Sequence, residues 1–327
     1  MQPITPNHAI VYSRESHTVP IIRSYQPGDE KGILRLFATV FHHELPLAVW
    51  QWKYLRANEP PPVFIAEEDD EIVCHYGAIR QCLRWNKQNG IGWDSVDTMC
   101  HPRYQGRGLF RRTVQAFIQT YGEGHSFLMY GFPGERHRRL GERLIGYEPI
   151  APVYKVHKVI PMSPVPFPAG VVVMSRVPDE WSNHWKLLEQ RFGMIAKRDH
   201  QTLAWRYVER PDKRYRLLSI PGVPALAVVG FEPEKAYLME FLLEEGNTAA
   251  AQVLMRAVES LCSTEGAETL EGWFPRFAWE CGFLIGTGGC TGAVADNYFE
   301  CRLFDSRLRA SWLAEHFYYS LGDYDVF

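Results

Sequence analysis

The segment His101-Pro-Arg-Tyr-Gln-Gly-Arg-Gly-Leu-Phe110 carries the residue types best suited to holding an anion. It follows Trp93 to Cys100, which reads as a strand. It opens a stretch in which Phe110, Val114, Phe117, Ile118 and Tyr121 fall on one helical face. Proline ends the strand, and the two glycines let the backbone turn tightly with its amides pointing outward. Amides in the first turn of a helix have no partner inside it, and with the helix dipole they attract phosphate. Arg107 and Arg103 add charge at the rim. No third glycine completes GxGxxG and no GK[ST] follows, which excludes the dinucleotide fingerprint and the Walker A loop.

Other clusters promise less. Gly286-Thr-Gly-Gly-Cys-Thr-Gly292 is richer in glycine, but Ala293 to Phe304 after it looks like a strand, so a hairpin loop is expected there. His42-His43 has no third ligand in sequence and no HExxH is present, so no metal is expected. Glu135-Arg-His-Arg-Arg139 reads first as a solvated helix face and second as a contact for a terminal phosphate.

The elements that must position the loop are those of a mixed α/β fold. Ile21 to Ser24 reads as a strand, Ile33, Phe37, Val40 and Phe41 recur at helical spacing, and Leu47 to Leu55 suggests a second helix. Val63 to Ala66 and Ile72 to Ile79 read as strands around the turn Glu68-Asp69-Asp70, and a hairpin through Asn86 to Gly90 leads into Trp93 to Cys100.

The chain has 327 residues, 46% hydrophobic and 22% charged, with a formal net charge of -3. The absence of a basic excess argues against nucleic acid as partner. No run approaches the roughly 20 apolar residues of a membrane span, and Met1 to Ser16 lacks an apolar signal core, so a cytoplasmic protein is expected. Seven cysteines, odd in number and never spaced CxxC, read as free and mostly buried thiols.

The length suits two domains. Four prolines between Ile160 and Gly170 mark a linker, giving domains at 1–160 and 171–327 joined by 161–170. The two sides echo each other. Trp52-Lys53-Tyr54 returns as Trp205-Arg206-Tyr207, Gly77 and Gly230 stand at the same offset from those tryptophans, and a helix ending in Leu144-Ile-Gly-Tyr147 is echoed by Trp279-Glu-Cys-Gly-Phe283. Such spacing points to two copies of one fold in tandem.

The loop resembles the signature of the GNAT acetyltransferases, a strand ending in proline followed by [QR]-x-x-G-x-[GA] at a helix start: here Gln105, Gly108 and then Phe110, a core residue in place of Gly or Ala. The resemblance implies that the amides of Gln105, Gly106, Arg107, Gly108, Leu109 and Phe110 hold the pyrophosphate of acetyl-coenzyme A, and that backbone near Met99 and Cys100 lies along the pantetheine arm. In family order, Phe127 to Pro133 looks like the strand that splays to admit that arm. Gly134 to Ile145 looks like the helix beneath it, and Gly146-Tyr147 like the turn that follows. The whole looks like a tandem GNAT protein with a degenerate second copy. There the equivalent junction, Leu242-Leu-Glu-Glu-Gly-Asn-Thr248, keeps one glycine and presents two glutamates that would repel phosphate.

Direct acetyl transfer to the primary amine of a small molecule, sugar or peptide needs a base for the ammonium proton and a proton for the leaving thiolate. Asp94 and Asp97 are the nearest carboxylates. By strand alternation they point to opposite faces, so one at most should face the acyl group. Tyr147 is the candidate acid, and its other reading is an aromatic plug. A terminal carboxylate at Phe327 reaches the site if the tail folds back. The alternatives are a FemAB-like aminoacyl transferase, also a pair of GNAT-like folds, and a catalytically silent coenzyme-binding or interaction module.

Overall fold

The computed structural model describes residues 20–56 and 59–325. Met1 to Ser16 and the Phe327 carboxylate therefore lie outside the described residues. The first half runs β1 (Ile21–Ser24), α1 (Glu30–Phe41), α2 (Leu47–Tyr54), β2 (Val63–Glu68), β3 (Glu71–Trp85), β4 (Gln88–Cys100), α3 (Leu109–Phe117), β5 (Leu128–Gly131), α4 (Glu135–Leu144) and β6 (Glu148–Val159). The second runs β7 (Val172–Met174), α5 (Trp181–Leu188), β8 (Met194–Ala196), α6 (His200–Tyr207), β9 (Tyr215–Ser219), β10 (Ala225–Glu232), β11 (Lys235–Leu243), α7 (Thr248–Thr264), β12 (Thr269–Trp273), α8 (Trp279–Gly286) and β13 (Thr291–Leu303), followed by α9 (Ala310–His316) and β14 (Phe317–Tyr318).

Local chemistry accounts for the joints. Asp69 and Asp70 turn β2 into β3, and Asn86 and Lys87 turn β3 into β4, all four with the positive φ that two-residue hairpins require. The second hairpin is tighter than the sequence suggests, since Gln88 already belongs to β4. β4 and β5 are parallel, as are β11 and β12, so each pair needs a crossover helix, α3 and α7 respectively.

Among the described residues all the strands join one mixed sheet. Its central order is β5-β13-β6-β12, with antiparallel contacts throughout. β13 of the second half thus lies beside β5 of the first, β6 of the first lies beside β12 of the second, and the two exchanged strands pair with each other. The halves are mirrored in order about that pair. The repeated tripeptides meet near the same axis. Trp52 and Trp205 stack with ring centroids 4.7 Å apart, and each indole N–H donates to the other's backbone carbonyl, at 2.8 and 3.0 Å.

Two sequence expectations are corrected here. The Gly286 to Gly292 segment joins helix α8 to β13 instead of closing a hairpin, because α8 occupies the stretch before it and Gly289, at φ 71°, reverses the chain. For the same reason Gly282-Phe283 lies inside α8, and the helix end comparable to Gly146 falls at Gly286.

One core, under α1 and α2, gathers Ile33, Leu36, Trp50, Tyr54, Val96 and Trp205. On the other face α3 buries Tyr76, Trp93, Val114, Phe117 and Met129 together with Tyr147. β4 is the strand between these layers, so its alternate residues look into both.

Candidate active site

The anion loop begins where β4 ends. Pro102–Tyr104 forms a single tight turn, with the His101 ring accepting from Arg103 N at 3.2 Å, and Gln105 Nε2 donates back to Cys100 O at 3.2 Å. Gly106 and Gly108 have φ of 79° and 76°, and a side chain on either would meet nothing within 4 Å, so the space before them is open. Gly108 is the N-cap of α3 and offers no side chain to its amides. Leu109 is buried against Ala66, Val73 and Cys74, and the Phe110 ring packs edge-on to Tyr76. Both side chains point down, as the core reading of Phe110 requires. The first amides of α3 keep no internal partner, and the exposed Arg107, over the Tyr104 ring at 4.9 Å, stands at the rim. This cradle of open amides fits a pyrophosphate.

β4 and β5 pair from Gly92↔Leu128 to Asp94↔Tyr130, where the pairing stops. Beyond it β4 continues from Ser95 to Cys100 paired to β3 alone. Met99 is buried in the core under α1 and Cys100 is half-buried, so backbone and not side chain is what they present to the gap.

Asp94 and Asp97 do not face opposite ways. A bulge interrupts the β3–β4 register between His75 and Gly77, and Asp97 sits in it at φ 50°. The extra residue breaks the alternation and turns Asp97 to the α2 side, which Asp94 shares by its parity with Val96. There the two acids differ sharply. Asp97 accepts from Lys53 Nζ at 2.9 and 3.0 Å and from Tyr54 Oη at 2.8 Å, and its backbone carbonyl meets His75 Nδ1 at 2.8 Å. Burial pushes its carboxyl up, but the Lys53 ammonium together with His75 and the Tyr54 hydroxyl outweighs that and holds it below the ordinary range. Asp94 is also buried, yet its Oδ2 finds no hydrogen-bond partner among the described residues. Burial, with Asp325 and Asp323 adding like charge, drives its carboxyl well above the ordinary range against the pull of Arg206 and Lys53.

Tyr147 lies on the other face. Its phenol meets Ser95 Oγ at 2.5 Å, and Ser95 in turn meets Tyr76 Oη at 2.7 Å. Burial raises the Tyr147 pKa, which keeps its proton on. It is both an aromatic plug and a hydroxyl placed one residue past the last β4–β5 pair.

Several neighbours were missed in the sequence. Glu300 arrives on β13 opposite Gly131, is buried with Oε2 unpaired, and is pushed by burial up to about 8. A side chain at Gly141 of α4 would meet both Glu300 Oε1, at 2.5 Å, and the Tyr147 ring, at 3.0 Å, so the two pack on the same helix. The tail does fold back as far as Asp325, whose carboxylate lies 3.2 Å from Lys53 Nζ. Nothing local in the sequence marks Glu300 or Asp325. His42-His43 stays apart from the site: His42 is the left-handed C-cap of α1, and among the described residues no group of three or more His, Cys, Asp or Glu could hold a metal. Glu135 is spent on Arg138 and Arg139, as a solvated face requires.

A cleft of about 190 Å³ opens beside α2, with Lys53, Tyr54, Arg56, Ala78, Arg80 and Lys197 in its walls. It touches no residue of the anion loop. No described helix is long and apolar enough to cross a membrane.

Comparison with known proteins agrees with this arrangement. Over most of its length the chain has the fold of a conserved protein from Enterococcus faecalis V583 (TM-score 0.66, 10% identity, 91% of this chain and 74% of that one). A GCN5-related N-acetyltransferase from Kribbella flavida gives TM-score 0.61 at 14% identity (88% and 72%). Another from Anabaena variabilis gives 0.64 at 9% (88% and 73%). No curated protein matches the sequence. Residues 21–149 match the family model described as an acetyltransferase (GNAT) domain, and the enzyme is an acyltransferase.

Proposed function

We propose that the enzyme transfers the acetyl group of acetyl-coenzyme A directly to a primary amine, at one site in the first half. The observation that carries this reading is the coincidence, on one strand, of the open amide cradle at Gly106 to Phe110 and the end of β4–β5 pairing at Asp94. Acetyl-coenzyme A supplies the activated thioester. The loop amides hold its pyrophosphate, and the free backbone of Ser95 to Cys100 aligns its arm. Asp94 is the base, because it alone of the two acids has an unpaired carboxylate oxygen and a raised pKa, which makes it the more basic of the pair. Asp97 is committed to Lys53 and serves to fix the bulge. Tyr147 keeps its proton and can return one toward sulfur.

The amine acceptor enters by the cleft beside α2, whose walls include Lys53 and Tyr54, the partners of Asp97. Residues 161–170 link the first domain to a degenerate second copy, which closes the acceptor side. A screen of primary amines with acetyl-coenzyme A, read as free thiol release, tests the reading. It expects amine-dependent turnover that Asp94→Asn lowers on the order of a hundredfold. Coenzyme binding with no turnover on any amine favours a silent coenzyme-binding module.

A further inference from the structure

Cys74 on β3 and Cys100 on β4 stand directly opposite each other. His101 N donates to Val73 O at 2.9 Å, so Val73 and His101 are a hydrogen-bonded pair and the adjacent Cys74–Cys100 pair is of the non-hydrogen-bonded kind. In such pairs the Cα atoms approach to about 4.5 Å, within the roughly 4.4–6.8 Å that a disulfide spans. The two side chains share one small cluster with Ala66, Val73, Leu109 and Phe110, directly beneath the first turn of α3.

Access is uneven within the pair. Cys74 is fully buried and Cys100 half-exposed. Of the seven cysteines only Cys82 shares that partial exposure, and the remainder are buried. A hydrogen bond from the Cys74 thiol holds Cys100 below its ordinary pKa, whereas burial pushes Cys82 up. Thiolate is the attacking species, so Cys100 is the reactive partner.

We propose that Cys74 and Cys100 form a dithiol modification site, which low-molecular-weight disulfides convert to a cross-strand disulfide beneath the anion loop. The Cys100 thiolate attacks one sulfur of the reagent, forming a mixed disulfide and expelling one thiolate. Cys74 then gives up its proton and attacks Cys100 Sγ, displacing the second thiol. In sum two protein thiols are oxidised by two electrons, and one reagent disulfide is reduced to two thiols. The chemistry stands independently of the acetyl-transfer reading.

Oxidised glutathione is the probe. The full chain is incubated with it, alkylated and mapped by mass spectrometry. The wild type is expected to lose two hydrogens, with the peptides of Cys74 and Cys100 joined and dithiothreitol separating them. Cys74→Ser should stop at one glutathione on Cys100, because the resolving thiol is gone, and Cys100→Ser should leave Cys74 unmodified. A wild type that carries glutathione on Cys82 in preference, or on Cys100 without cross-linking, overturns the proposal. So does a Cys74→Ser chain that takes up no glutathione at Cys100.

Discussion

The junctions β4–α3 and β11–α7 occupy the same place in the two halves, and they dispose of their polar groups in opposite ways. In the first, Gly108 caps the helix with nothing and Gly106 leaves open space. In the second, the Asn247 side chain accepts from Ala250 N at 3.1 Å and Gly246 O accepts from Thr248 N at 2.8 Å, so amides of that first turn are already taken. The bulges, of which the second interrupts the β10–β11 register between Val228 and Val229, repeat the contrast. Tyr54 bonds Asp97 and Tyr207 bonds Glu240, both at 2.8 Å. In the second half Arg198 pairs with Glu240 and Asp323, at 2.7 and 2.6 Å, and Ser320 Oγ donates to Glu240. Gly322 fits so closely against Tyr207 and Met239 O that any side chain would clash. The C-terminal segment fills the second half from within. The first half keeps an unpaired carboxylate at Asp94 and open amides at the loop, and groups that a protein leaves unsatisfied are where a ligand can be.

The largest expected effect breaks this contrast at the loop. Gly108→Glu places a negative charge against a pyrophosphate, at about 4 kcal/mol per charge pair at 4 Å and an effective dielectric of 20. Coenzyme A affinity should fall roughly a thousandfold or more, measured calorimetrically. Because Gly108 has φ 76°, some of the cost is backbone strain. Gly108→Asn, uncharged and tolerant of that conformation, should retain most of the binding, and equal loss in both variants would assign the effect to strain.

The two aspartates sharpen the comparison next. Asp97→Asn leaves the buried Lys53 ammonium with Asp325 alone, at 3.2 Å, and should cost up to about 3–5 kcal/mol of stability in denaturant titration. Asp94→Asn should leave stability intact or better, with turnover down on the order of a hundredfold and coenzyme affinity unchanged. Reversed phenotypes would exchange their roles.

How these residues could have been read from sequence divides along physical lines. The loop was legible because Pro102, Gln105, Gly106 and Gly108 act through local backbone geometry. Trp52-Lys53-Tyr54 and Trp205-Arg206-Tyr207 were legible as a repeat, but not their meaning, which is a stacked pair joining the halves. The facing of Asp97 was lost because a non-glycine residue at positive φ carries no sequence signal, and one bulge inverts the parity of everything after it. The exchange of β6 and β13 was out of reach. It depends on pairing between residues such as Gly131 and Glu300, far apart in the chain, and no local pattern encodes which half an antiparallel strand joins.

That exchange carries a smaller effect. Glu300 titrates near 8 when folded, above its ordinary 4.5, so the folded state binds the extra proton between those values. Its stabilising protonated form is fully present below 4.5, and stability is lost as pH rises through 8. Glu300→Gln should remove this slope, and its Tm should exceed that of the wild type at pH 9 by a margin that disappears at pH 5. The smallest effect tests the self-satisfied junction. Asn247→Ala should cost about 1 kcal/mol of stability and leave coenzyme affinity untouched.

Counting coenzyme A sites on the wild-type chain by calorimetric titration bears most directly on the account. One site per chain is the expected result, because Gly106 to Phe110 presents open amides while Asn247, Glu244 and Glu245 close or repel at the matching junction. Two equivalent sites, or one that survives Gly108→Glu with unaltered affinity, would contradict it.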